Sequence, residues 1–276
     1  MVTRDIPWPV GTPCWIDLAV DDLNRASKFY GALFGWDFQA APFGDGGYAI
    51  CLQKGRPVAG IGVKPDGPGT PAVWTTYLAS DDADETLAKV QAAGGKVRRE
   101  PVDVMDQVRL AVAEDPGGAV FGVWQSRKNI GVGQANEPGS LAWSENWSPD
   151  FEANRAFYHS VFGYDFSDTN FDGTRYAFVI LDGHPVGGIG ELKSGFPAQW
   201  SIVFAVEDPH KAVGNATQLG GSVEHPPIDV EFGSTAVLRD DQGAIFGVTN
   251  MSVGVCPHGN PTFDDTGACM SSPPCP

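Results

Sequence analysis

From Trp15 to Val20 an apolar run broken only by Asp17 reads as a strand, and Asp21-Asp22 follows as a helix N-cap. Leu23, Ala26, Tyr30, Leu33 and Phe34 then recur at helical spacing and stop at Gly35, a C-terminal signal. Short strand patterns follow near 36–40, 47–53 and 57–63, separated by turn residues at Pro42 to Gly47 and at Gly55. The pattern restarts at Trp74. A strand to Ala79, a helix from Asp82 to Ala93 closed by Gly94-Gly95, and strands near 96–100, 108–113 and 119–125 are predicted. Each half therefore reads β-α-β-β-β.

The whole arrangement occurs twice. Laid on itself at an offset of about 128 residues, the chain matches Trp15 with Trp143, Phe29-Tyr30 with Phe157-Tyr158, Phe34-Gly35 with Phe162-Gly163 and Tyr48-Ala49 with Tyr176-Ala177. Pro57, Val58, Gly60, Ile61 and Gly62 fall on Pro185, Val186, Gly188, Ile189 and Gly190. Farther on the offset drifts through small deletions, aligning Trp74 with Trp200 and Phe121-Gly122-Val123 with Phe246-Gly247-Val248. A repeat this long is a whole domain rather than a solenoid unit. Two homologous domains are expected at 11–126 and 139–250, joined by a linker at 127–138 and followed by a tail at 251–276. A pseudo-twofold pairing of the domains is expected, in a monomer or a homodimer.

Composition narrows the partners. The chain of 276 residues carries a formal charge of −16 and only 18 Lys and Arg, which argues against nucleic acid and against an anionic membrane surface. No apolar run spans a bilayer, and Met1 to Pro13 has neither a basic start nor an apolar stretch, so a cytoplasmic protein is expected.

The βαβββ module occurring twice per domain, Val20-Asp21 after the first strand, Phe29-Tyr30 with Phe34-Gly35, and the late turn Asp115-Pro116-Gly117-Gly118 together resemble the glyoxalase/bleomycin-resistance/dioxygenase (vicinal oxygen chelate) superfamily. Phe157-Tyr158, Phe162-Gly163 and Asp240-Asp241-Gln242-Gly243 repeat the elements. The resemblance covers about residues 13–125 and 141–249. It implies an α+β fold of four βαβββ modules in two tandem domains. The function it implies is broad, since lyases, dioxygenases, epimerases, drug-modifying enzymes and drug-sequestering proteins share the fold.

In metal-dependent members, the resemblance implies, first strands supply His, Gln or Glu and last strands a carboxylate. By register those first-strand positions are Trp15, Trp74, Trp143 and Trp200, and the last-strand positions lie at or near Gly60, Gly122, Gly188 and Gly247. An indole N–H only donates and glycine has no side chain, so neither a metal nor any other cofactor is expected in the cavities. Asp17 and Glu145, Arg56 and His184, and Glu191 lie near these positions without forming a ligand set at family spacing. The four tryptophans, with Trp147, are expected to line or to plug the cavities, and the glycines leave room for a flat ligand. Asp17 and Glu145 are the candidate acid/base groups; they read equally as structural carboxylates bonded to backbone. Thr76, Gln107 and Arg109 are lesser candidates, and His159, His210 and His225 read as solvated.

In the tail, Cys256, His258, Cys269 and Cys275 could supply a Cys3His zinc set, a disulfide or uncommitted thiols, on a stretch too poor in apolar residues to build a core. Three functions compete: metal-independent binding of a small aromatic or cationic metabolite, as sequestration or carriage; a cofactor-independent lyase, isomerase or hydroxylase-type enzyme of secondary metabolism using Asp17 or Glu145; and a structural protein with plugged cavities.

Overall fold

Each module is built around a capped helix. The Asp22 carboxylate accepts hydrogen bonds from the backbone N–H groups of Asn24 and Arg25, and Gly35, at φ 74°, closes the same helix in the left-handed conformation. Asp150 and Gly163 (φ 73°) do the same one repeat later, and Asp82 and Asp208 cap the other two helices.

The computed structural model describes residues 2–41, 47–65, 67, 69–171, 173–193, 197–230 and 233–251, with the backbone of 262–263 and 269–270. After a short β1 (Val2–Thr3), the first module is β2 (Pro13–Val20), α1 (Leu23–Phe34), β3 (Asp37–Ala40), β4 (Tyr48–Gln53) and β5 (Arg56–Val63). The second is β6 (Val73–Ser80), α2 (Ala83–Ala92), β7 (Lys96–Val104), β8 (Val108–Glu114) and β9 (Val120–Ser126). Beyond β10 (Gln134–Ala135), the third is β11 (Leu141–Ser148), α3 (Phe151–Phe162), β12 (Asp165–Phe171), β13 (Thr174–Leu181) and β14 (His184–Glu191). The fourth is β15 (Gln199–Ala205), α4 (Pro209–Gln218), β16 (Ser222–Val230), β17 (Gly233–Arg239) and β18 (Ile245–Thr249). The short β19 (Thr262–Phe263) and β20 (Cys269–Met270) pair with each other.

The first two modules share one sheet of order β3-β4-β5-β2-β6-β9-β8-β7, joined at its centre by the antiparallel pair β2–β6. The last two form β12-β13-β14-β11-β15-β18-β17-β16, with β10 and β1 added beyond β11. This is the α+β architecture of two tandem glyoxalase-like domains. Among the described residues no helix is long and apolar enough to cross a membrane.

Strand alternation divides each sheet into two faces. Ile16, Leu18 and Val20 point to the helices, whereas Trp15 joins a separate cluster on the helix-free face. The helix-side cores cross the domain boundary. Phe29, Tyr30 and Phe34 of the first module pack with Phe204, Leu238 and Phe246 of the fourth, and Phe121 of the second packs with Phe157, Tyr158 and Phe162 of the third.

A buried polar tie sits inside each of these cores. The Tyr30 hydroxyl accepts from Trp74 Nε1 (3.2 Å) and donates to Asp240 Oδ2 (2.9 Å). The Tyr158 hydroxyl accepts from Trp200 Nε1 (2.8 Å) and donates to Asp115 Oδ2 (3.0 Å), which also takes Asn146 Nδ2 (3.0 Å). Both carboxylates stabilise their own turns as well, Asp115 through Ala119 N–H and Asp240 through Gln242 and Ala244 N–H. Burial raises both acids above the usual carboxylate range, and these donors oppose the shift.

The stretch between the sheets is not a free tether. Val132 N–H bonds to Cys14 O (2.7 Å), Gly133 N–H to Pro57 O (2.7 Å), and Trp8 Nε1 donates to Val132 O (3.0 Å). Low apolar periodicity concealed this, because the attachment is made by main-chain groups.

The two ties predict separable stability losses. Tyr30→Phe and Tyr158→Phe each leave a buried indole N–H and a carboxylate short of a partner, so urea unfolding should show about 1–3 kcal/mol lost in each. The double variant should lose the sum to within roughly 0.5 kcal/mol, since the ties share no residue.

Candidate functional site

The helix-free face of the first sheet is assembled from cross-strand neighbours. Trp15 lies opposite Tyr77 and Asp17 opposite Thr75, while Gly60 is paired with Asp17 and Gly122 with Tyr77. Trp15 stacks on Trp124 at 5.3 Å and 28°, and Tyr77 meets the same indole edge-on at 5.7 Å and 80°. These three rings fill one end of the face, with Trp15 wholly inaccessible. Trp15 is therefore packed among rings rather than facing solvent.

The other end is open. Asp17, Thr75 and Tyr48 retain partial access to solvent. Asp17 Oδ2 accepts from the Tyr77 hydroxyl (3.0 Å), and Trp15 Nε1 donates to the Tyr48 hydroxyl (3.3 Å). Desolvation lifts the Asp17 carboxyl to about 7, against the Tyr77 hydrogen bond and the charge of Arg99, both of which favour ionisation. Burial, and after it the Asp17 charge, holds both phenols protonated; Tyr77 donates to Asp17 while Tyr48 accepts from Trp15.

Arg99 shows that the sheet curls. It pairs with Val112 of β8, itself paired with Gly122, so its side chain shares the face of Tyr77 and Asp17. On a flat sheet the four-strand separation of β7 from β2 would be about 19 Å. Its charge nonetheless acts on both Asp17 and Tyr77. Ile50 and Leu110, from opposite sides of the sheet, also pack on one cluster. The face is a scoop.

The second scoop keeps the frame and changes its lining. Trp143 Nε1 donates to the Tyr176 hydroxyl (2.8 Å), which donates to Glu145 Oε2 (2.9 Å). Burial raises the Glu145 carboxyl, and the Tyr176 hydroxyl and the nearby Trp147 indole partly offset it. Ser201 stands opposite Glu145 where Thr75 faces Asp17, and Val203 replaces Tyr77 beside Gly247. Trp147 lies 5.9 Å from Tyr176, Phe171 5.1 Å from Tyr176, Phe178 5.6 Å from Tyr176, and Trp143 6.1 Å from Phe178. Phe171 is 55% exposed. The two scoops are chemically different.

The residues at the superfamily's ligand positions do not fit a divalent ion. A Cβ on Gly60 or Gly188 would collide with the hydroxyl of Tyr48 or Tyr176, and one on Gly122 with the Tyr77 ring. On Gly247 it would meet Val203 Cγ2 at 2.9 Å. Tyrosine and valine thus occupy the volume a ligating carboxylate needs, and the first-strand positions carry an indole or a hydroxyl. Among the described residues no group of three His, Cys, Asp or Glu side chains gathers.

Two expected scoop residues are elsewhere. Trp74 pairs with Leu18 and Trp200 with Asn146, so both face the helices and bond Tyr30 and Tyr158. The matching step chose the wrong residue by one, which turns a side chain to the opposite face. Trp15 precedes its cap Asp22 by the same interval as Thr75 precedes Asp82, so Thr75 and Ser201 hold the true positions.

Arg56 also stays out, bonding Asp5 (3.0 Å) and the Gly133 carbonyl (3.3 Å). His184 begins β14, and its buried Nδ1 has no hydrogen-bond partner. Glu191 pairs with Ser148 on the helix side and lies 4.0 Å from Arg175. Thr76 is buried opposite Ile16, and Arg109 is held by Asp84 and Asp103. Cys256, His258 and Cys275 lie outside the described residues; of Cys269 only the backbone, in β20, is described.

Sequence reasoning passed over Tyr48, Tyr77, Tyr176, Trp124 and Arg99. Tyr48 and Tyr176 matched in the repeat, and a tyrosine facing a strand glycine was the available signal. Arg99 had none, because β7 carries charges on both faces.

Three comparisons bear on this geometry. A model of the Glyoxalase/Bleomycin resistance protein/Dioxygenase superfamily matches residues 13–123. CFP32 of Mycobacterium tuberculosis (strain CDC 1551 / Oshkosh), a protein named as a glyoxylase, is 38% identical over 86% of this chain and 94% of its own length. The anthracycline biosynthesis protein DnrV of Streptomyces peucetius is 36% identical over 92% of this chain and 97% of its own. In fold, the chain is similar to the Mn(II)-bound glyoxalase from Novosphingobium aromaticivorans, with a TM-score of 0.65 and 18% identity over 90% of this chain and 85% of that one. Module order, helix motifs, scoop geometry and two full-length relatives agree, and the chain belongs to the glyoxalase/bleomycin resistance protein/dioxygenase superfamily.

Proposed function

We propose that this protein binds a planar aromatic small molecule without a metal ion, with the second scoop as the receiving surface. The observation that carries the reading is the array of Trp143, Trp147, Phe171, Tyr176 and Phe178, whose outer members reach solvent beside Glu145. Partly exposed rings on an inward-curling face lose unfavourable hydration when a flat ligand covers them, and stacking adds directional preference. Glu145 offers an acceptor to a ligand hydroxyl or a cation. The similarity to a protein named for anthracycline biosynthesis supports a role in secondary metabolism and in the handling of fused aromatic rings. The protein acts in the cytoplasm on this reading, as a monomer of two domains, about 11–126 and 139–250, or as a homodimer.

Titration with 1,4-dihydroxyanthraquinone should quench tryptophan emission, and Trp147→Ala should weaken the interaction about tenfold. Addition of EDTA should leave the curve unchanged. Loss of quenching on chelation, or full affinity in the Trp147 variant, would discard the proposal.

A second reading rests on the first scoop. Asp17, held at about 7 and bonded to Tyr77 at the open end, has the properties of a general acid/base on a bound substrate. Tyr77→Phe should raise the Asp17 midpoint further, because the hydroxyl favours the charged form; carboxyl infrared difference spectra would read it. The folded carboxyl binds its proton more tightly than the unfolded one, whose value is near 3.8. Its contribution to stability is therefore whole below that value and is lost as pH rises through about 7. Asp17→Asn should flatten that part of the stability profile, and an unchanged profile would place the carboxyl's midpoint elsewhere.

A further inference from the structure

We infer that the first scoop is a second, separate ligand site, selective for an aromatic anion such as an aryl carboxylate, with Arg99 as the group that selects it. The inference rests on the reading that the scoops admit flat ligands, and it adds the charge of the ligand and the residue that recognises it.

The other cations of β7 and β8 and of the segment after β9 are committed to carboxylates. Lys96 and Arg98 hold Glu114, Arg109 holds Asp84 and Asp103, Arg127 shares Asp103, and Lys128 holds Asp106. Among the described residues no carboxylate lies within ion-pair distance of Arg99, although its exposed side chain stands on the scoop face. A guanidinium that costs no existing ion pair to recruit presents a planar pair of donors matched to a carboxylate.

The surroundings supply the rest of the site. Ile50 and Leu110 are part-buried apolar side chains packed on the cluster of Trp15 and Trp124, Leu110 directly opposite Trp124, and they offer apolar surface to an aryl ring. Around Asp17 the facing polar groups are Tyr48 from β4, Thr75 and Tyr77 from β6 and Arg99 from β7, while β5 and β9 contribute Gly60, Gly122 and Trp124. Asp17 is the acid that feels the charge of Arg99 there, and its raised pKa leaves much of it uncharged near neutrality, so it opposes an incoming anion weakly. The second scoop lacks the device: His225, which pairs with Val237 as Arg99 pairs with Val112, stands at the corresponding position.

The net charge of −16 makes the prediction sharp. The field of the whole molecule repels anions, so a preference for one must come from local pairing. Calorimetric titration of the full chain at pH 7 should show 2-naphthoate binding about tenfold or more tightly than the neutral isostere 2-naphthamide. Arg99→Met should erase the preference while leaving naphthamide affinity within about twofold, and Arg99→Lys should keep part of it. Circular dichroism on the variants controls for folding, and Trp147→Ala should leave naphthoate binding intact.

Equal affinity of the two compounds, a preference surviving Arg99→Met, or loss of naphthoate binding on Trp147→Ala would each overturn the inference. Should neither naphthalene bind while the anthraquinone still quenches, the inference falls and the proposed function stands. Should no aromatic probe bind, both fall.

Discussion

Two phenol hydroxyls hold the four modules in place. A hydroxyl accepts and donates at once, and Tyr30 and Tyr158 use both capacities, taking an indole N–H from one module and giving a proton to a carboxylate across the domain boundary. Each carboxylate in turn fixes the tight turn before the final strand of its own module. Helix, strand and turn from three different modules therefore meet at one buried point. Leaving any of these groups unpaired in that interior would cost more than the bond itself contributes, which makes the arrangement specific. Because the helix faces are used up in joining the domains, the opposite sheet faces remain outside this interface, and that is where both scoops lie.

On those faces the decisive constraint is volume rather than charge. Wherever a last-strand carboxylate would reach toward a first-strand ligand, a cross-strand neighbour already stands over a glycine: Tyr48 over Gly60, Tyr77 over Gly122, Tyr176 over Gly188 and Val203 over Gly247. Restoring one ligand would require removing a ring from the neighbouring strand as well. The three tyrosines also convert the space from a cation site into a hydrogen-bonding one. With their hydroxyls kept protonated by burial, they turn donors toward Asp17 and Glu145 or take an indole N–H.

Particular residues show where the sequence was informative and where it was not. The caps Asp22, Asp82, Asp150 and Asp208 and the terminal glycines Gly35 and Gly163 could be read directly, because local hydrogen bonding sets them. Trp74 could not. Its matching in the repeat with Trp200 was sound, yet equating it with Trp15 was off by one residue, and the period of a strand turns that small error into the opposite face. Counting from the helix cap corrects it without coordinates. Arg99 is a different case: its approach to Asp17 and Tyr77 depends on sheet curvature, a property of eight strands together, and no local pattern encodes it.

Duplication supplied two copies of one frame, and the substitutions that distinguish them are coupled. In the first scoop small Ala19 leaves space above Asp17, and Trp124 with Tyr77 fills the far end. In the second, Trp147 stands at the position of Ala19, Val203 at that of Tyr77 and Thr249 at that of Trp124, so aromatic bulk has moved from the far end toward the acid. A scoop whose rings are buried in a plug exposes polar groups at its mouth, whereas one whose rings stand near the mouth exposes aromatic surface. An acid stands in both scoops and accepts a phenol hydroxyl in each, Asp17 from Tyr77 and Glu145 from Tyr176. Equal frames with opposite filling therefore present different chemistry at their mouths, and the two faces are not interchangeable copies of one site.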